Sequence, residues 1–253
     1  MLKEIVIAFQ SYGQAHRFIR EHRLWKWILI PGILYMLLFV TGMYFFWQSS
    51  NDAVSWLSQN IWERWLKKEN SEILSFLFVM AGLILRLVLL LFYFSLFKFL
   101  FLIVGSPLFA YLSEKTESIL EGKDYPFSWK QLLIDIWRGT RIALRNALWQ
   151  TVYTVSLLLL SLIPIVGWIT PVIALSLECF YYGFSMLDYS CERARLTPAQ
   201  SIDFITRHRG LAIGNGFLFY LMHAVPFAGW VLAPAYAVVA ATMSVYRIKQ
   251  SGA

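Results

Sequence analysis

Arg23 and Lys26 stand just ahead of the first long apolar run of the chain, and Arg207 and Arg209 flank His208 ahead of the last. Cations in such places are suited to holding an anion. A guanidinium presents a fork of N–H donors, and the free N–H groups at the start of a helix add to it. Each pair also has a plainer use, as the juxtamembrane charge that orients a protein across a bilayer. Two more ionisable residues lie inside apolar runs: Arg86 in "AGLILRLVLLLF" and Glu178 in "IALSLECFYYGF". An isolated charge in hydrocarbon is costly. They are therefore expected to form an intramembrane polar pair. For Glu178 a proton-carrying role or a structural hydrogen bond fits the same position.

Chemistry of other kinds finds no support. The chain has no Walker A run, no His-Glu-x-x-His and no Cys-x-x-Cys. Cys179 and Cys191 lack metal or disulfide spacing, and His223 has no second ligand in pattern. No enzyme activity, cofactor, metal or nucleic-acid partner is expected. Asp188, Glu192 and Arg195 share one helical face and read as a solvated charge network. Asn215 lies between two glycines, which suggests close helix packing rather than a pore.

The elements that carry these residues belong in a membrane. Of 253 residues 58% are hydrophobic and only 15% charged, with a net charge of +7. Soluble domains carry about 25% charged residues. The expected fold is therefore all-α and integral to the membrane, in a single membrane domain. Residues 1–23 have a helical apolar period, and Arg17, Arg20, Arg23 and, just beyond, Lys26 follow at three-residue steps, predicting an amphipathic helix on the membrane surface with a basic collar at its end. Two long transmembrane helices follow at 24–47 and 73–104, the first with Pro31 and Gly32 suggesting a bend. The polar stretch 48–72, with Trp56, Trp62 and Trp65, is expected to cap the far side. "GSPLF" at 105–109 is expected to end the second helix, and "AYLSEKTESILEG" to form a water-exposed amphipathic helix.

The rest reads as two copies of one unit. Pro164, Gly167 and Trp168 recur as Pro226, Gly229 and Trp230, each 62 residues later. A capping signature precedes each copy, at Ser128–Gln131 and at Thr197–Gln200. Proline interrupts a helix, and glycine accepts the left-handed backbone of a tight reversal. Two helical hairpins are predicted, at 147–187 and 211–247. Their incoming limbs reach roughly 24 and 22 Å, short of the ~30 Å hydrocarbon core. Basic flanks on both hairpins place both mouths, and the N-terminus, on the cytoplasmic side. The hairpins are expected to be re-entrant or partially inserted; full crossing requires tilt or local thinning.

"SPLFAYLSEKTESILEG", "LDYSCERARLTPAQSIDFITRHRGLAIGNG" and "WILIPGILYMLLF" together resemble the CysZ-type sulfate permeases and the wider etoposide-induced-protein membrane domain. The resemblance implies two long transmembrane helices with two inserted hairpins, and homo-oligomeric assembly in a bacterial inner membrane. It also implies passage of sulfate or a similar oxyanion. In that family a Gly-Leu-Arg motif ahead of the first transmembrane helix binds sulfate. Aligned on Pro31, it falls on Arg23-Leu24-Trp25, where only the leucine matches. A contrasting reading is a non-transporting membrane protein that binds anionic lipid or assembles with partners.

Overall fold

The structure, a computed structural model of the chain, describes residues 1–61, 72–123, 129–164 and 166–250. Among these it forms eight helices and no strand: α1 Leu2–Glu21, α2 Trp25–Ile61, α3 Glu72–Glu121, α4 Trp129–Ser161, α5 Val166–Arg193, α6 Pro198–Arg207, α7 Arg209–His223 and α8 Ala228–Gln250. Four stretches are long and apolar enough to cross a membrane: Trp25–Trp56, Val79–Glu121, Val166–Arg193 and Ala228–Gln250. The chain is an integral membrane protein. It divides into two compact units, residues 37–98 and residues 1–36 with 99–253.

The smaller unit is an antiparallel pair made from the end of α2 and the start of α3. Tyr93 occupies the centre, donating from its hydroxyl to the Phe39 carbonyl at 3.1 Å and packing against Phe39, Phe46 and Phe97. Gly42 leaves the space that the Tyr93 hydroxyl fills. Outside this seam the pair exposes Leu37, Val40, Phe45, Leu83, Ile84, Leu87 and Leu91. A soluble two-helix pair would hide such side chains; lipid is the solvent that suits them.

Polar residues do not end α2 where 48–72 was expected to form a separate cap. Gln48 to Asn60 contains no proline or glycine, and the helix runs on to Ile61. Ser50, Ser55 and Asn60 fold their side chains back onto carbonyls of the preceding turn. Trp62, Trp65 and the capping signature at Ser128 lie outside the described residues.

The larger unit surrounds α8. Every residue from Ala233 to Val245 is buried, whichever way it points, as befits a helix enclosed on all sides. Small residues admit its neighbours. A Cβ at Gly32 of α2 would overlap the Val231 carbonyl of α8. Between the hairpins, a Cβ at Gly183 of α5 would overlap the Ala212 carbonyl of α7, and one at Gly216 of α7 the Cys179 carbonyl of α5. The two helices thus run antiparallel with their backbones in contact, and Tyr182 stacks on Phe219 with ring centroids 3.6 Å apart. A hydroxyl chain from Ser113 and Ser190 to Thr242 ties α3 and α5 to α8, at 3.0 and 3.2 Å.

Helix α1 turns its apolar stripe to protein. Ala8, Tyr12, Ala15, Phe18 and Ile19 are buried, and α7 and α8 are the helices it packs against. Ala8 meets Gly214, where a side chain would not fit, and the Tyr12 hydroxyl donates to the Asn215 carbonyl at 3.0 Å. Burial pushes the Tyr12 phenol well above its ordinary 10.0, so it remains a donor. Asn215 is fully buried and donates to Ala237 at 3.2 Å, the packing role its flanking glycines suggested.

"GSPLF" does not end α3, because the carbonyl that Pro107 leaves without its helical donor is supplied locally. That carbonyl belongs to Ile103, and the Ser106 hydroxyl donates to it at 2.9 Å. The same device recurs in α5, where Pro171 frees the Gly167 carbonyl and Thr170 donates to it at 2.8 Å. Nor is "AYLSEKTESILEG" a separate water-exposed helix. It is the last part of α3, with Leu112, Ser113 and Thr116 at 0% exposure.

Both Pro-x-x-Gly-Trp segments form reversals, and they match bond for bond. Val166 and Gly167 donate to Pro164 and Ile163; Ala228 and Gly229 donate to Pro226 and Val225. The glycine acts otherwise than expected. Neither Gly167 nor Gly229 has positive φ; in the second reversal that conformation falls on Phe227, at +60°. Instead, a Cβ at Gly167 would overlap the Ser161 carbonyl, and one at Gly229 the Met222 carbonyl. Glycine lets the outgoing helix start against the end of the incoming one.

Gly216→Val should therefore lower the thermal midpoint of the detergent-solubilised protein, by the equivalent of ~1–3 kcal/mol or more. Gly13→Ala, where no atom lies within 4 Å of the new Cβ, should instead raise it slightly. Size-exclusion recovery after heating reads both.

Candidate anion site and its charged surroundings

The junction of α1 and α2 is built by a helix terminus. Arg23 donates its backbone N–H to the Arg20 carbonyl at 3.4 Å, and Leu24 to the Ile19 carbonyl at 3.0 Å. With Arg23 at φ +52° this is a Schellman motif, whose left-handed residue is usually glycine. Leu24 is buried; the Arg23 side chain is exposed. The first turn of α2 begins at Trp25; the Trp27 N–H donates to the Leu24 carbonyl at 3.0 Å, and the N–H groups of Trp25 and Lys26 have no partner within the helix. Trp25 itself leans edge-on to His16, with ring centroids 6.5 Å apart.

Arg17, Arg20, Arg23 and Lys26 make no ion pair among the described residues. These four cations form a collar around the end of α1 and the start of α2; Glu21, the carboxylate of that segment, lies exposed among them without an ion pair to any. Trp25 and Trp27 stand among them, partly exposed.

The mouth of the second hairpin is more occupied. Arg207 binds Asp203, with nitrogen–oxygen distances of 2.8 and 3.1 Å, and the Arg209 Nε donates to the Thr206 carbonyl at 2.9 Å. Glu4 of α1 reaches the start of α7. It lies 2.9 Å from His208 Nδ1 and accepts the Gly210 N–H at 3.0 Å. A carboxylate already sits where an anion would meet that helix end.

A buried charge group joins α4 to α5. Arg138 forms two bonds of 3.0 Å to the Asp188 carboxylate, lies 3.4 Å from Glu192 and also donates to Ser201. Asp188 and Glu192 are 5% and 7% exposed, so the network expected to be solvated is interior. Its cation comes from the neighbouring helix. Arg193 pairs instead with Glu114 at 2.7 Å, and Arg195 closes a second Schellman motif at φ +56°. Arg138 is one of three arginines on α4, with Arg141 and Arg145. Reflection of the hairpin about Pro164 would have placed it opposite Asp188.

The same reflection accounts for Glu178. Its carboxylate accepts bonds from Gln150 of α4 and from the Tyr220 hydroxyl of α7, the latter at 2.9 Å. Through Gln150 and Tyr220, Glu178 joins the two hairpins. Arg86 lies in the smaller unit, on an exposed face of α3. Pro164, Trp168, Pro226 and Trp230 all lie at or beside the reversals, and Trp168 is 88% exposed.

Four apolar helices long enough to span and glycine-seamed helix contacts describe a polytopic membrane protein. The family model described as "Sulfate transporter CysZ/Etoposide-induced protein 2.4" matches residues 11–234, and the chain belongs to that family. It is a family of transporters rather than of enzymes. A sulfate transporter CysZ of Pseudomonas aeruginosa is 28% identical over 96% of this chain and 95% of its own length. That of Pseudomonas paraeruginosa is 27% identical over the same shares. One from Pseudomonas fluorescens is 25% identical over 89% of this chain and 86% of its own length.

The left-handed position occupied by Arg23 has a consequence for stability. Arg23→Gly should stabilise the protein by about 1 kcal/mol, since a side chain in that conformation is strained. Arg138→Ala should destabilise it by roughly 3–5 kcal/mol, leaving two buried carboxylates without their cation. Thermal midpoints in detergent distinguish the two directions.

Proposed function

We propose that this protein passes sulfate, or a similar oxyanion, across the bacterial inner membrane. The observation that carries the reading is the collar of Arg17, Arg20, Arg23 and Lys26, net basic beside Glu21 and without an ion pair among the described residues. It stands where the family's sulfate motif aligns, in a chain whose relatives are named sulfate transporters over nearly their whole length. Arg23 and Lys26 recruit the anion, and the leading N–H groups of α2 add donors beside them. Trp25 supplies no charge, so recognition rests on the flanking cations. Arg207 and Arg209 form a weaker second mouth, because Asp203 already shares the first of them. Glu178 serves as a polar clasp between the hairpins, and Arg86 places a cation on the long span.

The N-terminus and both hairpin mouths face the cytoplasm, where the basic residues concentrate. Helix α7 sets the depth of the second hairpin. Its 15 residues reach about 22 Å, less than the ~30 Å core. The apolar reversals, with Phe227 70% exposed, then end within the bilayer. Homo-oligomeric contacts and surrounding lipid, including anionic lipid, cover these inserted ends.

Radiolabelled sulfate uptake into proteoliposomes tests the transport reading. Wild type should show saturable uptake, and Arg23→Ala/Lys26→Ala should lose it by roughly tenfold, with the loss of wild-type advantage as salt rises. No uptake above empty vesicles, from protein that elutes as a single folded species, would overturn it. Separately, Phe227→Cys should resist membrane-impermeant thiol reagents from the periplasmic side; ready labelling there would show that the hairpin crosses completely.

A further inference from the structure

Three arginines follow one another along α4, and among the described residues only the first is held by carboxylates. Arg138 is held by Asp188 and Glu192. Arg141 makes no hydrogen bond or ion pair among the described residues, and Arg145 makes only a 3.0 Å bond to the amide oxygen of Asn146. These two side chains, one helical turn apart, line a half-open groove of about 510 Å³. Its other walls are mainly apolar: Ile142 of α4, and Pro198 and Ile202 of α6. Two guanidinium groups without carboxylates, in a groove walled by hydrocarbon, call for a ligand that is anionic at one end and apolar beyond it.

The face of α4 that carries the two arginines continues into such a track. At successive steps of three or four residues from Arg145 come Leu148, Val152, Val155 and Leu159, with exposures of 70%, 53%, 42% and 64%. From Arg145 to Leu159 this stripe rises about 21 Å, more than the ~15 Å depth of one leaflet. The charged groove therefore lies at the end of a lipid-facing apolar stripe, where headgroup meets hydrocarbon. A free oxyanion would use only the charged end.

We propose that this groove binds the headgroup of an anionic phospholipid. The phosphodiester lies between the Arg141 and Arg145 guanidinium groups, the glycerol backbone contacts Ile142, Pro198 and Ile202, and one acyl chain follows the stripe toward Leu159. Basic grooves between helices at the membrane surface recognise anionic headgroups in this way. Bidentate geometry favours arginine over lysine at the site. The assignment stands on α4 and α6 alone and does not depend on sulfate transport.

Native mass spectrometry of the full-length, delipidated protein tests the proposal, with phosphatidylglycerol and phosphatidylcholine of identical acyl chains as probes. Wild type should retain phosphatidylglycerol with a preference of roughly tenfold or more. Arg141→Gln/Arg145→Gln should abolish that preference, whereas Lys3→Gln, an exposed cation on α1 outside the groove lining, should keep it. Ile202→Trp, which fills the groove and leaves both charges in place, should abolish it as well and guards against a folding defect in the double variant. An unchanged preference in both groove variants would overturn the site. Displacement of phosphatidylglycerol by sodium sulfate at matched ionic strength would overturn the lipid assignment, identifying a free oxyanion as the occupant.

Discussion

Within a bilayer, lipid tails surround an apolar side chain as well as another helix does, so helices gain stability chiefly where their backbones come close. The contact between α5 and α7 meets that condition twice. Gly183 admits the Ala212 carbonyl, and Gly216 admits the Cys179 carbonyl. Everything that joins the two hairpins follows from this antiparallel register. It stacks Tyr182 on Phe219 and carries the Tyr220 hydroxyl to Glu178. It also leaves a bed for α1, whose Ala8 rests on Gly214 two residues before Gly216. Leucines at these positions would hold the helices apart, and the polar bonds could not form.

A second constraint is that backbone carbonyls inside the membrane need donors from the protein itself. Pro107 and Pro171 each free one, and each is preceded by a hydroxyl residue that supplies the missing bond. This lets a helix keep a proline without breaking. Helix ends require a similar solution at the aqueous rim. α1 and α5 both finish with an Arg-Leu pair, in which arginine takes the left-handed conformation and leucine donates five residues back. α3 ends with Gly122 in that conformation at φ +65°. Using arginine in place of glycine adds backbone strain but sets an exposed cation at a fixed point beside the membrane.

These devices explain which features could be read from the chain. The two hairpins were legible because the Pro-x-x-Gly-Trp repeat reports local backbone geometry, and local geometry depends on nearby residues. The glycine within it was assigned to the wrong cause: only coordinates reveal that a carbonyl from the preceding helix occupies the place of its Cβ. Pro107 suggested a break for the same reason, since the hydroxyl one residue earlier is a remedy visible only once its direction is known. The partner of Asp188 was hidden by habit rather than by lack of signal. Charges on one helix face suggested a shared solvated network, while the hairpin itself dictated that Arg138 would lie opposite. The amphipathicity of α1 shows that one face is covered without showing what covers it, and in the fold α7 and α8 do so.

The pairing of charges finally determines what the molecule can offer an anion. Asp188 and Glu192 share Arg138, Glu114 pairs with Arg193, Glu117 with Lys249 at 3.2 Å, and Glu4 sits at the start of α7. These carboxylates lock the interior of the larger unit. Among the described residues Arg86, Arg195 and Arg209 stand singly, while two groups of neighbouring cations are left without an ion pair, the α1–α2 collar and the Arg141–Arg145 pair on the outer face of α4. Both lie beside the aqueous ends of apolar helices, where desolvation is incomplete and the field extends into solution. The collar opens beside the start of a spanning helix, whereas the α4 pair opens onto a lipid-facing stripe. On the two assignments proposed above, guanidinium groups of equal chemistry serve different anions because of what adjoins them.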